Sequence, residues 1–586
     1  MKELQFRFKF ASYLAWLGIF ILLLRLWFLQ VVHGSYYRDK SENNRTRSIR
    51  VEAPRGIIYD RHGKVIVRNR PAFNLAILTE DIKDVNKTLE KIAEILKLDS
   101  DKLKNNFKES SKNYRRFEPQ VAIHDISHED LARIEARGHS LPGVITTVEP
   151  ARVYPYDNFA SQLLGYTREI SPEQLKQFKN KEYRPGDQVG QSGLEISKEE
   201  ILKGSAGFLQ VEVDAKGRRT SELGVVDTIP GKDLYLTIDL ELQKIAEEQM
   251  QGKRGAIIAI EPNTGEVLAL VSAPGYDPNL FSGNISKQDW KALVDHPGKP
   301  FRNRAVSSAY PPGSTSKLLW ATVGLEKGVI NKNTLYNCPG YYKIKKRRFH
   351  CHKRSGHGLV NVSKAIKVSC NAFFYQLGHK LGIDALSEYL DKFGFGRKTG
   401  INLLAEKTAT APSRKWKRER FKEKWYDGDT IPVSIGQGYF TTTPLQLTSM
   451  LATLVNGGQK YKPHLVKKII RGQDVEYVNS ILLEEMNLNP ENVETVKFAA
   501  RSVVEEDGGT GKEARVEGVE IGGKTGTAQV AALEHGIEGK LNDHAWFVSF
   551  APVKRPSIVL SVIVENGGHG GKSAAPIAQA LSLIHI

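Results

Sequence analysis

The stretch Tyr310-Pro-Pro-Gly-Ser-Thr-Ser-Lys317, followed by the apolar run Leu318-Leu-Trp-Ala321, places a polar pair at the start of a helix. Two prolines and a glycine end the preceding segment, so the sequence predicts a helix that begins at Ser314. Ser314 and Lys317 are three positions apart, a spacing that lets two side chains meet on one helix face. Because a buried lysine can lose its charge and accept the serine's proton, the stretch predicts a nucleophilic serine. The helix N-terminus would add backbone N–H donors beside the attacked atom.

Ser369-Cys370-Asn371 forms a second motif, 55 residues after Ser314 and directly before a helical run. Side chains two positions apart do not share a helix face, so we expect a turn that points Ser369 and Asn371 into a cleft. On its own the motif is equally compatible with an ordinary turn.

Lys524-Thr525-Gly526-Thr527 forms a third motif, on a predicted strand. Thr525 and Thr527 share one face of that strand and could both bind a substrate carboxylate, while Gly526 permits close approach. A glycine-containing strand needs no such role by itself. The three motifs in this order, each in a suitable local structure, predict one catalytic cleft.

Apolar patterning around these motifs predicts an α+β fold. Gly255–Ile260 and Val267–Val271 flank a turn and read as a β-hairpin. Three further strands are predicted far later in the chain, at Gly523 to Val530, Ala545 to Phe550 and Ile558 to Val564. We therefore expect an antiparallel sheet built from both ends of one domain, with a helical insertion of about 250 residues.

The N-terminus predicts a membrane anchor. Phe10 to Val32 is a mainly apolar run whose helix would rise about 34 Å, enough to span a bilayer. A cleaved signal peptide is the alternative, but no small-x-small cleavage site follows the run. Lys and Arg flank it on both sides, so the charges do not orient it. The expected domains are a cytoplasmic tail (1–9), the anchor (10–32), a β-rich pedestal (33–230) and a catalytic domain (231–586).

The charge balance is basic, with 84 Lys and Arg against 66 Asp and Glu. Such a balance favours anionic neighbours such as nucleic acid, a membrane surface or a cell-wall polymer. Two runs are dense in positive charge, Lys345–Arg348 and Arg414–Arg418. No known nucleic-acid-binding signature surrounds either run, so we expect no nucleic-acid partner, and solvated faces explain most of the charge.

The three motifs resemble the active site of the penicillin-binding proteins and serine β-lactamases. Other segments resemble class B penicillin-binding proteins, closest to penicillin-binding protein 2, the elongation-specific branch. Those segments are Arg55–Gly63, Arg152–Pro155, Ala160–Tyr166 and Gly193–Glu195 in the pedestal, and Leu236–Asp239, Gly436–Gly438 and Thr443-Pro444 in the catalytic domain.

The resemblance implies a D,D-transpeptidase that cross-links peptidoglycan during cell elongation and maintains cell shape. Ser314 would form the acyl-enzyme, and β-lactams would acylate the same serine. Lys317 would be the base, and Ser369 and Lys524 would relay the proton to the leaving group. Asn371 would contact the acyl side chain, and Thr525 and Thr527, beside Gly526, would bind the terminal carboxylate. The backbone N–H groups of Ser314 and Thr527 would form the oxyanion hole.

The resemblance also implies partners and a location. The substrates would be stem pentapeptides and the lipid-linked precursor, outside the bacterial inner membrane, with the catalytic domain in the periplasm. A polytopic glycosyltransferase of the elongation machinery is the expected protein partner. Two alternatives stay open: a membrane-anchored serine β-lactamase, which is a hydrolase, and a non-catalytic β-lactam sensor or scaffold.

All three cysteines fall within 33 residues, together with a histidine: Cys338, Cys351, His357 and Cys370. Three thiolates and an imidazole suit a tetrahedral structural zinc ion. A disulfide with a spare thiol and reduced buried cysteines are the alternatives, and His350 and His352 compete with His357. Some members of the penicillin-binding protein 2 branch carry zinc in this region, with aspartates at the positions that resemble Cys338 and Cys351.

Overall fold

The computed structural model describes residues 2–38, 46–110, 119–178, 183–213, 219–283, 285–529 and 542–585. The chain forms two compact units. The smaller comprises 1–54, 71–151 and 204–230, and the larger comprises 55–70, 152–203 and 231–586. Two segments of the expected pedestal, 55–70 and 152–203, therefore belong to the larger unit. The boundary between residues 230 and 231 stays a prediction.

The smaller unit begins with the predicted apolar helix. It runs from Lys2 to Trp27 and continues as a π-helix from Phe28 to Val32, with no buried side chain. Among the described residues it is the one helix long and apolar enough to cross a bilayer. The predicted span 10–32 lies within it.

The remainder of the smaller unit is mainly β structure. One antiparallel sheet has the strand order Thr46–Val51, Gly207–Val213, Arg219–Val226. Around a second group of strands pack helices that bury one apolar face. These elements are the strands Val65–Ile77, Gln120–Ile123 and Val144–Val153 and the helices Val85–Leu96, Ser100–Ser110 and His128–Glu135. The helix Val85–Leu96 starts where Asp84 caps it by accepting a hydrogen bond from the backbone N–H of Lys87.

The larger unit is organised by a five-stranded antiparallel sheet. Its strand order is Val267–Ala273, Gly255–Ile260, Ile558–Val564, His544–Ala551, Gly522–Ala528. The predicted hairpin and the three late strands are all present, although Val530 lies outside the described residues. Strands from both ends of the domain thus meet in one sheet, which confirms the α+β architecture.

Helices and short strands of the insertion pack on this sheet, and a second sheet joins early and late segments of the unit. Its strands are Asp474–Tyr477, Val466–Arg471, Asp233–Leu236, Ile58–Tyr59 and the start of Val65–Ile77. The longer helices are Leu240–Gln249, Lys287–Asp295, Lys317–Glu326, Asn371–Lys392, Arg414–Phe421, Pro444–Val455, Pro490–Glu505 and Ala575–His585. Shorter helices are Arg304–Ser307, Val362–Lys367, Asp427–Val433 and Gly570–Ser573. The unit also contains four short antiparallel strand pairs: Tyr336–Cys338 with Gly358–Val360, Tyr341–Ile344 with Arg347–His350, Gln459–Tyr461 with Leu482–Glu485, and Thr167–Glu169 with Gln188–Gly190.

A buried ion network ties the early segments of the larger unit together. The fully buried carboxylate of Glu195 lies 2.8 Å from Arg55 Nη2 and 2.7 Å from Arg152 Nε. Arg55 also bonds Glu199, at 2.8 Å. Burial alone would raise the pKa of Glu195, but the two arginines outweigh burial and lower it. Three segments distant in sequence are therefore held by one charged cluster.

We expect Glu195→Ala to lower the free energy of unfolding by about 3–5 kcal/mol, because it leaves the buried guanidinium group of Arg152 without a counter-charge and removes one of the two carboxylates that pair with Arg55. Thermal unfolding of the detergent-solubilised chain measures the loss. Glu491→Gln is the matched control, since its ion pair with Lys332 is exposed. Equal unfolding temperatures for the two variants would contradict the assignment of this network as a structural centre.

Candidate active site

Ser314 lies where a short 3-10 turn becomes a helix. The turn covers Gly313–Ser316 and the helix Lys317–Glu326, so the predicted helix start at Ser314 is displaced by one tight turn. Ser314 is partly exposed, whereas the residues on both sides of it are buried. The sequence thus presents a single hydroxyl to solvent from an otherwise packed segment.

Lys317 is completely buried and held by oxygen atoms. Its Nζ donates to the carbonyl oxygen of Ser369 at 2.9 Å, to Ser369 Oγ at 3.2 Å and to Asn371 Oδ1 at 2.6 Å. Burial lowers the pKa of Lys317 to about 8, although the nearby thiols of Cys370 and Cys351 oppose the shift. A lysine with this pKa is partly neutral near physiological pH and can accept a proton.

The Ser369-Cys370-Asn371 motif forms the predicted turn. It joins the helix Val362–Lys367 to the helix Asn371–Lys392, and Cys370 is the N-cap of the second helix. Ser369 has a φ of 55°, in the left-handed region that is strained for residues other than glycine. This conformation brings the Ser369 carbonyl oxygen and hydroxyl to the same ammonium group.

Lys524 lies on the edge strand Gly522–Ala528, as predicted, and is also fully buried. Its pKa is well below that of an ordinary lysine, first because of burial and second because of the charge on Lys317. Its Nζ donates to the carbonyl oxygen of Thr525 at 3.0 Å. Two buried amines that each disfavour the other's charge therefore share this cleft.

The edge strand packs directly against the turn that carries Ser314. A Cβ on Gly526 would lie 2.8 Å from Thr315 Cγ2 and 3.1 Å from the carbonyl oxygen of Pro312. Gly526 therefore lets its strand approach the turn that carries the nucleophile, Ser314. Gly436 does the same from the opposite side, since a Cβ there would lie 2.1 Å from the carbonyl oxygen of Gly313.

The hydrogen bonds of Lys317 and Thr525 add detail to the predicted site. Among the described residues, no hydrogen bond joins Ser314 Oγ to Lys317 Nζ, because the ammonium donates to Ser369 and Asn371 instead. Thr525 is nearly buried and its hydroxyl bonds Thr510 Oγ1 at 2.8 Å, whereas Thr527 is more exposed. Thr510 had no signal in the sequence, because its contact is made across a loop.

Cys338, Cys351, His357 and Cys370 come together beside this cleft. One ligand atom from each residue lies within 4.8 Å of all the others, and all three cysteines are free thiols. His357 Nδ1 is 3.5 Å from Cys338 Sγ and 3.6 Å from Cys351 Sγ. The three thiols therefore face one another unpaired, and the exposed His352 lies at the margin of the cluster.

The thiols affect one another's charge. A hydrogen bond from the Cys370 thiol lowers the pKa of Cys351, and the same contact raises the pKa of Cys370. One thiolate thus forms readily in this buried cluster, which suits a cation-binding donor set.

Two family descriptions match the chain. Residues 255–583 match "Penicillin binding protein transpeptidase domain", and residues 50–236 match "Penicillin-binding Protein dimerisation domain". The first match contains all three motifs of the cleft.

Several known proteins are similar over nearly the full length. The peptidoglycan D,D-transpeptidase MrdA of Acinetobacter baumannii is 36% identical over 582 residues, which cover 98% of this chain and 86% of the relative. A solved complex of a penicillin-binding protein, PBP2, with MreC from Helicobacter pylori superposes with a TM-score of 0.80 at 29% identity, over 92% of this chain and 98% of the matched one. A structure described as a peptidoglycan synthase complex that coordinates polymerization and crosslinking matches with a TM-score of 0.73 at 32% identity, over 98% of this chain and 97% of the matched one.

Proposed function

The chain belongs to the class B penicillin-binding proteins as a peptidoglycan D,D-transpeptidase, and we propose that Ser314 carries its acyl transfer. The full-length relatives are transpeptidases, which favours this activity over the β-lactamase and sensor alternatives. The observation that carries the mechanism is the buried Lys317, whose pKa of about 8 makes it a competent base three residues from the nucleophile.

In the acylation step, the Ser314 oxygen attacks the carbonyl carbon of the penultimate D-alanine of a stem peptide. The Ser314 proton passes to neutral Lys317, which exchanges one of its present donor bonds for this role. Backbone N–H groups of Ser314 and Thr527 would stabilise the developing oxyanion. The bond to the terminal D-alanine breaks, and its nitrogen receives a proton through Ser369 and Lys524.

In the transfer step, an amine from a neighbouring stem peptide attacks the acyl-enzyme carbonyl. The amine loses a proton to the same base, and the Ser314 oxygen recovers one as it leaves. Asn371 would orient the acyl chain, and Thr525 with Thr527 would bind the terminal carboxylate of the donor before it departs. The Lys524 amine supports that last role, since its Nζ donates to the Thr525 carbonyl oxygen at 3.0 Å and so lies beside the two threonines.

We also propose where the enzyme works and with what. Peptidoglycan lies outside the cytoplasmic membrane, so the catalytic domain is periplasmic and the N-terminal helix anchors it. The stem pentapeptide, the lipid-linked precursor and β-lactams are the small-molecule partners. A polytopic glycosyltransferase of the elongation machinery is the proposed protein partner, and the described peptidoglycan synthase complex of a similar protein supports it.

We further propose that Cys338, Cys351, His357 and Cys370 hold a structural zinc ion. Tetrahedral coordination with Zn–S bonds of about 2.3 Å separates ligand atoms by roughly 3.8 Å, and the four ligand atoms lie within 4.8 Å of one another, so the residues fit. Bound zinc would cross-link the strand ends at Cys338 and Cys351 to the catalytic turn. Because Cys370 separates Ser369 from Asn371, this cross-link would fix both contacts to Lys317.

We expect a fluorescent penicillin to label the full chain in detergent and to leave Ser314→Ala unlabelled, because the acyl bond forms on that oxygen. Ser355→Ala, at an exposed loop serine, is the control and should label like the parent. Gel fluorescence measures the label. Undiminished labelling of Ser314→Ala would refute the assignment of the nucleophile.

The rate of acylation by a β-lactam should rise with pH and level off above about 8. The active form of Lys317 is neutral, its pKa is about 8, and the neutral fraction grows as pH rises through that value. Stopped-flow acylation between pH 6 and pH 10 tests this. Lys317→Arg stays charged at every pH, so we expect about 10²–10⁴-fold slower acylation. A parent profile that is flat between pH 6 and pH 10 would argue against Lys317 as the base.

Purified protein should contain about one zinc per chain, and Cys351→Ala should lose it and unfold at a lower temperature. Elemental analysis and thermal unfolding provide the two readouts. His352→Ala is the matched control, because this exposed neighbour of Cys351 lies outside the four-ligand group. Zinc-free parent protein, or equal metal loss in both variants, would overturn the ligand assignment.

A further inference from the structure

Positive charge is concentrated in one stretch of the catalytic domain. Residues 327–383 contain twelve Lys and Arg and no Asp or Glu, although acidic residues are almost as frequent as basic ones in the chain as a whole. The stretch includes the Ser369 turn and the run Lys345–Arg348. The nearest acidic residues in sequence are Glu326 and Asp384, at its borders. Such segregation produces a local field that attracts anions.

A β-hairpin in this stretch presents the densest charge. Its strands are Tyr341–Ile344 and Arg347–His350, paired from Tyr341 with His350 to Ile344 with Arg347. We call residues 341–350 the cationic hairpin. The basic side chains at its tip are exposed, and two of them rest on aromatic rings of the same hairpin, Arg347 on Phe349 at 4.8 Å and Arg348 on Tyr341 at 5.0 Å. These rings hold the guanidinium groups out from the surface.

The charge of the cationic hairpin is not neutralised locally. Within the described part of the chain, its basic side chains form no ion pair with a carboxylate. Other cations of the same stretch do have such partners, as Lys327 with Glu388, Lys332 with Glu491 and Lys367 with Glu506 show. The uncompensated charge is therefore densest in the hairpin and the loop that follows it, which adds Lys353 and Arg354.

The base of the cationic hairpin contacts the helix Asn371–Lys392, which begins at the end of the catalytic turn. Tyr375 donates its hydroxyl to the carbonyl oxygen of His350 at 3.3 Å, and its ring lies 5.9 Å from that of Phe349. Tyr375 is one helical turn after Asn371, which accepts from Lys317. The hairpin is therefore linked through Tyr375 to the helix that carries Asn371, beside the cleft.

We propose that the cationic hairpin binds the carboxylates of peptidoglycan stem peptides, a role that rests on the proposed transpeptidation. Stem peptides carry free carboxylates at their acidic residues and at their C-termini, so cross-linking brings a polyanionic strand to this cleft. The terminal carboxylate of the donor is assigned to Thr525 and Thr527, on the strand that carries Lys524. The hairpin binds the carboxylates farther along the stems, where arginine forks match a carboxylate geometrically.

This assignment separates stem recognition from acylation. A β-lactam mimics the reacting end of a stem and lacks its remaining carboxylates, so its reaction with Ser314 does not require the hairpin. A phosphodiester polymer would meet the same charges, but it is not a substrate of the cleft that the hairpin borders. Removal of the positive charge of the hairpin distinguishes the two anions. Cross-linking slows if the hairpin binds stem carboxylates, whereas only binding of the polymer is lost if it binds phosphodiesters.

The test compares two triple substitutions in the full chain. K346Q/R347Q/R348Q removes three charges from the cationic hairpin, and K415Q/R418Q/R420Q removes three exposed charges from the helix Arg414–Phe421. We expect the hairpin variant to cross-link pentapeptide-bearing glycan strands about tenfold more slowly, since each exposed ion pair contributes weakly and three are lost. The second variant should match the parent. Both should react with fluorescent penicillin at the parent rate, which also reports correct folding.

A substrate arm identifies the anion. Glycan strands whose stem carboxylates have been amidated, except for the terminal carboxylate of the donor, should slow the parent to the rate of the hairpin variant and slow that variant no further. The parent's advantage should also shrink as salt is raised. Parent-like cross-linking by the hairpin variant, an equal loss in both variants, or a hairpin variant that loses only its binding to poly(glycerol phosphate) would each overturn the proposal. Failure of the proposed function itself has a different signature, since the parent would then neither cross-link nor acquire penicillin at Ser314.

Discussion

The structure around the active site depends on the burial of one ammonium group, that of Lys317. A lone lysine in an apolar core is costly unless it is neutral or fully hydrogen-bonded. Here Ser369 and Asn371 supply three oxygen acceptors. The cost that remains appears as a lowered pKa, and the lowered pKa is what makes the amine useful as a base.

The surrounding structure maintains this arrangement from several directions. The left-handed backbone conformation of Ser369 directs its carbonyl oxygen toward Lys317. The next residue, Cys370, belongs to the thiol cluster. Gly436 and Gly526 let neighbouring backbone approach the Ser314 turn without side chains between them. The nucleophile is therefore positioned by backbone contacts, which adjust less readily than side chains do.

Local sequence signals predicted much of the fold and the candidate site, because those parts depend on short-range rules. The hairpin Gly255–Ala273, the strand with Lys524 and the turn at Ser369 all follow from spacing and residue type. Such rules cannot predict contacts between segments that are distant in sequence. The Arg55–Glu195–Arg152 network joins residues up to 140 positions apart, and the bond between Thr510 and Thr525 crosses a loop. The preference of Lys317 for Ser369 and Asn371 over Ser314 likewise depends on the folded geometry.

The composite central sheet has a consequence for biogenesis. The wholly buried strand Gly255–Ile260 pairs with Ile558–Val564, so one of its edges stays unpaired until a strand about 300 residues further along the chain has been made. At 5–20 residues per second, synthesis of that interval takes roughly 15 to 60 s. During this time an apolar strand edge is open to pairing with other chains. The nascent enzyme thus depends on protection until its C-terminal strands emerge, and no molecule of it can acquire activity before its last sheet strand has been made.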